Sequence, residues 1–408
     1  MYINLDSCII CNNDSLVKYI DFGFQPLANN LHDNKYEIET YPLAVNVCPK
    51  CFHSQLSVSV SPILLFNHYL YMTGMSDTII KYFKWFVKYS TSFFDNGELD
   101  VLDIASNDGT LLKQYLRQGH NVQGVDPAKN LVEIANNNNI NTYCGFWNND
   151  TLNVLKPKKF DIIIAMNVFA HITYPKEFLK LCVECLKENG LIFIQTSQAD
   201  IFKNNEFDTI YHEHISFFTL RSFKVLLDQL KLNIVDFQKP SIHGNSYLLV
   251  ISKNTSISEN FFNNYMIEEY IGYYDINTYH KFNEFINIRI SQVKNYINSH
   301  NDLLKLGFGC AAKGNVFLNC SNIKLDAIID ETPTKIGKFS PGMNIPIVGL
   351  EYLDTIKDKE IIILILAWNY FDEIKNKLSN KLKDCKITFI KYFPEFQVTI
   401  KDIDILNQ

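Results

Sequence analysis

Leu99-Asp100-Val101-Leu102-Asp103-Ile104-Ala105-Ser106-Asn107-Asp108-Gly109 runs from an apolar strand into a turn of small and polar residues, and Leu111 to Arg117 then opens a helix. A nearly continuous apolar run is what a strand buried on both faces of a parallel sheet requires. The pattern repeats downstream. Val122-Gln123-Gly124-Val125-Asp126 reads as a second strand ending in an acid. Phe160 to Met166 reads as another strand that runs into Asn167, and Gly190 to Thr196 follows a helix around Lys176 to Leu186. Strands alternating with helices specify an α/β, doubly wound parallel sheet, with ligands bound over the carboxyl ends of the strands.

Upstream, Cys8/Cys11 and Cys48/Cys51 form two CxxC pairs in a segment of short apolar pieces broken by turns. A segment this small packs no stable core unaided, and a tetrahedral zinc site supplies the cohesion. Two pairs fill all four positions, so the zinc is expected to be structural. Redox-active CxxC needs a helix N-terminus inside a βαβ pattern that is missing here. Cys182 and Cys185 form a third CxxC, but within an amphipathic helix where both thiols read as core. From Leu64 to Phe94 apolar residues recur at helical spacing, which predicts one helix packed on the next domain.

After Ile251 a polar stretch, Asn254 to Asn260, reads as a linker. Aromatic-rich helices follow from Phe261 to Leu304. A second α/β pattern comes next: a strand at Leu304 to Phe308, a glycine turn from Gly309 to Gly314, a helix, and strands at Ala327 to Asp330 and Ile361 to Leu366. The expected domains are therefore residues 1–65 (zinc-binding), 66–255 (central Rossmann-like) and 256–408 (a second Rossmann-like α/β domain).

The net charge of −6 over 408 residues, with no basic block, argues against nucleic acid as a partner. No apolar run reaches the length of a membrane span and the N-terminus lacks a secretory pattern, so a cytoplasmic protein acting on small molecules is expected. A monomer or homodimer is compatible with this composition.

In the central domain Ala105, Ser106 and Gly109 keep the first loop thin, and Asn107 and Asp108 complete it. Asp126 is placed to accept both ribose hydroxyls of a nucleoside, and Asn167 stands at the same sheet edge. A dinucleotide site would show Gly-x-Gly-x-x-Gly, and Asp103 and Asp108 would repel its pyrophosphate. A cationic sulfonium carries no phosphate, so the acids favour S-adenosylmethionine.

Downstream, Tyr211-His212-Glu213-His214 sets a tyrosine, an acid and two histidines beside apolar neighbours. A histidine can take a proton from a carbon beside a carbonyl, a carboxylate can orient it, and a tyrosine can donate to a developing enolate oxygen. Metal binding by His-Glu-His would require an irregular loop, and a purely structural role at a helix start is the plain alternative. His171, just after the strand ending at Met166, lies at the same edge.

These residues carry a family. The chain resembles the sugar C-methyltransferases of deoxysugar biosynthesis through Asp21-Phe22-Gly23-Phe24-Gln25-Pro26-Leu27-Ala28-Asn29, Ser106-Asn107-Asp108-Gly109, Asn167-Val168-Phe169-Ala170-His171 and Asp208-Thr209-Ile210-Tyr211-His212-Glu213-His214. Ala312-Lys313-Gly314-Asn315 and Ala367-Trp368-Asn369-Tyr370 extend it. The resemblance implies a small zinc-binding N-terminal domain, a central class I methyltransferase domain using S-adenosylmethionine, and a C-terminal Rossmann-like substrate domain. It implies a nucleotide-linked 4-keto-deoxysugar methylated on the carbon beside the ketone. His214 would be the base, with Tyr211, Glu213, His171 and Tyr71 in support, and Lys313, Asn315, His243 and Asn245 would lie on the substrate side. The chain departs from the family pattern at His243-Gly244-Asn245-Ser246-Tyr247-Leu248, where the family has an arginine at the last position, and at Gln195-Thr196-Ser197. O- or N-methylation of a related small molecule, or a non-catalytic protein on the same fold, are the competing expectations.

Overall fold

A computed structural model describes residues 1–34, 38–66, 72–75, 77–95, 97–155, 158–197, 199–242, 245–254, 258–356 and 359–402. The chain forms two compact units. The first gathers Met1–Lys18, Val45–Asp200 and Glu213–Ile276, and the second gathers Tyr19–Ala44, Ile201–His212 and Asn277–Gln408.

The first strands are β1 (Tyr2–Asn4), β2 (Val17–Pro26), β3 (Thr40–Val47), β4 (Ser54–Leu56) and β5 (Val58–Val60). The two CxxC pairs lie in the turns before β2 and before β4. Helices α1 (Pro62–Phe66) and α2 (Asp77–Thr91) follow. The single helix expected from Leu64 to Phe94 is therefore divided, with the 3-10 turn Thr73–Met75 ahead of α2. Apolar spacing marks which face of a helix is buried but does not register an interruption.

The central sheet is built from β6 (Asp100–Ile104), α3 (Thr110–Leu116), β7 (Asn121–Asp126), α4 (Lys129–Asn137), β8 (Thr142–Cys144), α5 (Asn149–Leu155), β9 (Phe160–Met166), α6 (Pro175–Cys185) and β10 (Leu186–Ser197). After the short α7 (Ile201–Asn204) come β11 (Ser216–Phe217), α8 (Leu220–Gln229), β12 (Asn233–Gln238) and β13 (Ser246–Ser252). The seven strands lie in the order β12-β13-β10-β9-β6-β7-β8. From β10 to β8 all neighbours are parallel, whereas β13 runs antiparallel to both β10 and β12. The expected parallel sheet thus carries an antiparallel edge, because the short connection after β12 suits a hairpin and not a helical crossover.

Side-chain alternation divides this sheet into two buried faces. Leu102, Ile104, Ile163, Ile192 and Ile194 pack on one side, and Val101, Ile162, Ile164, Phe193 and Leu248 on the other, against Phe86 of α2. Leu248, where the family pattern has an arginine, is therefore a core residue with no exposure.

In the second unit, α9 (Glu259–Tyr270) having closed the first, the chain continues through α10 (Ile276–Asn298), β14 (Leu304–Phe308), α11 (Ala312–Ser321), β15 (Ala327–Ile329), β16 (Ile347–Val348), β17 (Glu360–Ile365), α12 (Phe371–Lys381), β18 (Lys386–Lys391) and β19 (Gln397–Lys401). Strand order is β16-β15-β14-β17-β18-β19, parallel except for β19. Its first loop is hung as the central one is. Gly309 N donates to Ile329 O at 2.8 Å and Cys310 N to Asp330 Oδ2 at 2.7 Å, just as Ala105 N donates to Val125 O at 2.7 Å and Asn107 N to Asp126 Oδ2 at 2.8 Å. Among the described residues no helix is long and apolar enough to cross a membrane.

Candidate active site

The four cysteine sulfurs lie within 4.8 Å of one another, with Cys8 Sγ 3.5 Å from Cys51 Sγ and Cys11 Sγ 3.5 Å from Cys48 Sγ. Tetrahedral zinc with Zn–S of about 2.3 Å needs sulfurs about 3.8 Å apart, so this cluster fits the metal with no position left open. It is the metal-holding cluster found among the described residues, and the 211–214 segment forms none. The knuckle also reaches further. Cys51 leads into β4, whose Ser54 and Gln55 pair with Phe217 and Ser216 of β11, and Leu56 N donates to Ile215 O at 2.9 Å. The zinc-bearing turn therefore fixes the strand that follows His214.

At the carboxyl edge of the central sheet, three of five loop residues have positive φ: Ala105 at 60°, Asn107 at 52° and Gly109 at 78°. For Ala105 that conformation costs about 1–2 kcal/mol, a strain the surrounding hydrogen bonds must hold in place. Ala105 N and Ser106 N both donate to Val125 O, and Asp126 receives Asn107 N on one oxygen and Ala128 N on the other, each at 2.8 Å. Burial raises the Asp126 carboxyl above its ordinary range, against the pull of those two amides. Asp103, buried within β6, is pushed well above the usual range by burial and then by the charge of Asp126. Asp108 Oδ1 accepts from Thr110 N at 3.1 Å and its Oδ2 from Gly74 N at 2.8 Å. A thin, acid-rimmed loop of this kind fits a cationic nucleoside and disfavours a pyrophosphate.

Asn167, also at positive φ, follows the end of β9. Its N–H donates to Gln195 O at 2.9 Å, and its Oδ1 accepts from Gln195 Nε2 at 3.3 Å. The same glutamine accepts the hydroxyl of Tyr82 on α2. Four residues on, His171 ends the 3-10 turn Phe169–His171, with its Nδ1 2.6 Å from Glu213 O. A carbonyl can only accept, so Nδ1 carries the proton and Nε2 is bare in the neutral ring. Burial lowers the His171 pKa to about 4, while the carbonyls of Glu213 and Asn167 oppose the shift. The ring centroids of His171 and His214 are 5.0 Å apart, and Phe66 meets His171 edge-on at 5.4 Å. Residues 211–214 form an irregular turn between the 3-10 turn Phe207–Thr209 and β11, not the start of a helix. Glu213 and His214 are buried in the first unit, whereas Tyr211 and His212 belong to the second, where His212 Nε2 lies 3.3 Å from Tyr41 O and from Pro42 O.

The remaining sequence candidates are dispersed. Tyr71 and His243 lie outside the described residues. Asn245 donates to Asp200 Oδ2 at 2.7 Å, and Lys239 pairs with the other oxygen at 2.6 Å. In the second unit Lys313 lies in the first turn of α11, 3.8 Å from Glu206 and 5.0 Å over the Trp368 ring. Asn315, fully buried, donates to Ala28 O at 2.9 Å. Asp208, three residues before Tyr211, accepts Trp368 Nε1 and the Tyr392 hydroxyl, both at 2.6 Å. The sequence marked Gln195 only as a departure from the family pattern, and gave no sign of Tyr82 or the buried cluster around Glu268, which accepts the Tyr247 and Tyr274 hydroxyls and Leu220 N. None of these has a motif, since most of the contacts join separate elements of the chain.

Three family models match in succession: a zinc binding domain over residues 8–66, a methyltransferase domain over 75–236 and a C-methyltransferase C-terminal domain over 241–394. The chain therefore carries a methyltransferase domain followed by a C-methyltransferase C-terminal domain. It is similar to the C-methyltransferase NovU of Streptomyces niveus, with 29% identity over 392 residues, 91% of each chain. A ubiquinone biosynthesis O-methyltransferase of Bradyrhizobium diazoefficiens is 34% identical over 102 residues, 24% of this chain and 40% of that protein. Among solved structures, the plantazolicin methyltransferase BpumL in complex with SAH overlaps 42% of this chain and 82% of its own at 18% identity and a TM-score of 0.35. The C-methyltransferase described here is thus an S-adenosylmethionine-dependent enzyme with a zinc-binding N-terminal region.

Proposed function

We propose that this C-methyltransferase methylates the carbon beside the ketone of a nucleotide-linked 4-keto-deoxysugar, with His214 as the base. The observation that carries the reading is the pairing of His171 with the 213–214 segment at the carboxyl edge. A neutral His171, held by the Glu213 carbonyl, fixes the backbone next to His214. His214 takes the proton from the carbon beside the ketone, and the released electron pair moves onto the ketone oxygen as an enolate. The bare Nε2 of His171 leaves that ring an acceptor, so it orients a hydroxyl or water and does not supply a proton to the enolate. A tyrosine is the better donor to that oxygen, the role assigned to Tyr211.

S-adenosylmethionine, when bound, supplies an electrophilic methyl group on a cationic sulfur. The backbone from Ala105 to Gly109 with Asp126 would hold its nucleoside, and the Asp108 and Asp126 carboxyls suit its charge. Lys313, at the start of α11 with its side chain about a third exposed, is the proposed contact for the substrate phosphates.

The test uses methyl-13C-labelled S-adenosylmethionine with a panel of 4-keto-deoxysugar nucleotides. Carbon methylation places the label at a chemical shift typical of a methyl on carbon, coupled to its neighbour. A methyl shift typical of oxygen or nitrogen attachment would overturn the proposal in favour of heteroatom transfer.

A further inference from the structure

Residues 72–75 precede α2, and two of their backbone amides close on the cofactor loop. Thr73 N donates to Asn107 Oδ1 at 3.0 Å and Gly74 N to Asp108 Oδ2 at 2.8 Å, contacts that join positions 34 residues apart. The approach is close. A Cβ on Gly74 would stand 2.8 Å from both Asp108 Oδ2 and Thr110 Oγ1, so a side chain there must push those oxygens aside even though Gly74 itself is exposed.

The loop presents these acceptors in fixed directions. Asn107 Oδ1 also takes Asp108 N at 3.0 Å, and Asp108 Oδ1 takes Thr110 N at 3.1 Å. Each side chain is thus oriented by its own loop and then receives an amide from the 73–74 segment. The helix continuing from that segment is tied to the other side of the crevice, where the Tyr82 hydroxyl donates to Gln195, which donates to Asn167. Loops after β6 and β9, which are adjacent strands, are therefore bridged by one stretch of chain.

We infer that residues 73–74 are a strap over the cofactor loop and that Asn107 and Asp108 are positioning residues that hold it there, leaving cofactor contact to the loop backbone. The inference rests on the reading of the Asp103–Gly109 loop as the S-adenosylmethionine site. On Asn107 and Asp108 one of the N–H donors comes from the 73–74 segment itself, whereas the two on Asp126 come from the loops beside it. Hydrogen bonds to a carboxylate are the strong ones, so the Gly74–Asp108 bond carries most of the hold. A strap held in this way retards release, and its loss shows in the off-rate.

The test measures S-adenosylhomocysteine binding to the full chain by calorimetry and stopped flow, for wild type, Gly74→Ala, Asp108→Ala and the double variant. Each single change is expected to weaken binding about tenfold through faster release, and the double variant to add less than about twofold, because both remove one contact. The exposed Gly74→Ala is expected to melt within a few degrees of wild type, and amide exchange at residues 73 and 74 to lose the protection that ligand gives the wild type. Wild-type affinity in Gly74→Ala, or a hundredfold loss in the double variant, would overturn the strap and make Asp108 a direct ligand. An Asp126→Ala control separates the two readings. If Asp126→Ala loses binding while the strap variants keep it, the cofactor site stands and the strap falls, whereas a wild type that does not bind sinks both.

Discussion

His171 is a titratable side chain held in place beside the proposed base. With its pKa lowered to about 4 by burial, it stays neutral across pH 5–8, and the Glu213 carbonyl fixes the proton on Nδ1. Imidazole NMR is therefore expected to show His171 as the Nδ1–H tautomer throughout that range, and an inflection near neutrality at this residue would assign it the proton transfer instead. His171→Gln keeps a donor for the Glu213 carbonyl but loses the ring that faces His214. It should lower turnover by about a hundredfold while cofactor affinity stays within twofold. The histidines and the loop acids were legible in the sequence because they cluster in short blocks. The tautomer was not, because it is set by a carbonyl 42 residues away.

Two local assemblies carry the remaining predictions. In the first, β4 connects the zinc knuckle to β11 and so to the backbone after His214. Purified protein should carry about one zinc per chain. Chelation should raise amide exchange at residues 54–56 and 215–217 and abolish turnover, whereas unchanged exchange at 215–217 would limit the metal to its own turn. In the second, Glu268 of α9 is raised to about 7, chiefly by burial, although the Tyr247 hydroxyl, Leu220 N and the Tyr274 hydroxyl pull the other way. A carboxyl with a raised folded pKa binds protons more tightly when folded, so its contribution to stability is lost as pH rises from about 4.5 through about 7. The span corresponds to about 3 kcal/mol at most. Glu268→Gln should flatten the pH dependence of Tm between pH 5 and 8, and an unchanged slope would show that Glu268 is ionised throughout. Parallel strands such as β9, with Ile162 to Ala165 wholly buried, declared themselves as apolar runs. The β12–β13 hairpin, the break before α2 and the Glu268 cluster did not, because pairing direction and long-range polar contacts leave no periodicity in the chain.

For the molecule as a whole, the two α/β units share one way of hanging a loop from an acid, but they differ in charge. Asp126 is raised above the carboxylate range, whereas Asp330 is lowered, burial notwithstanding, with Lys335 at 3.2 Å. Asp330 is already paired with a cation, whereas Asp126 takes two backbone amides. That both segments are α/β was readable from their strand–loop–helix order. The passage of residues 19–44 and 201–212 into the second unit was not, since local sequence does not record which distant segment a strand will join. The central claim is that His214 removes a proton from carbon. It is tested most directly by incubating the enzyme with a 4-keto-deoxysugar nucleotide and S-adenosylhomocysteine in deuterated water, and following the hydrogen beside the ketone by NMR. Wild type should exchange that hydrogen, and His214→Ala should lose exchange by at least a thousandfold while still binding S-adenosylhomocysteine. Exchange at the wild-type rate in His214→Ala would contradict the account.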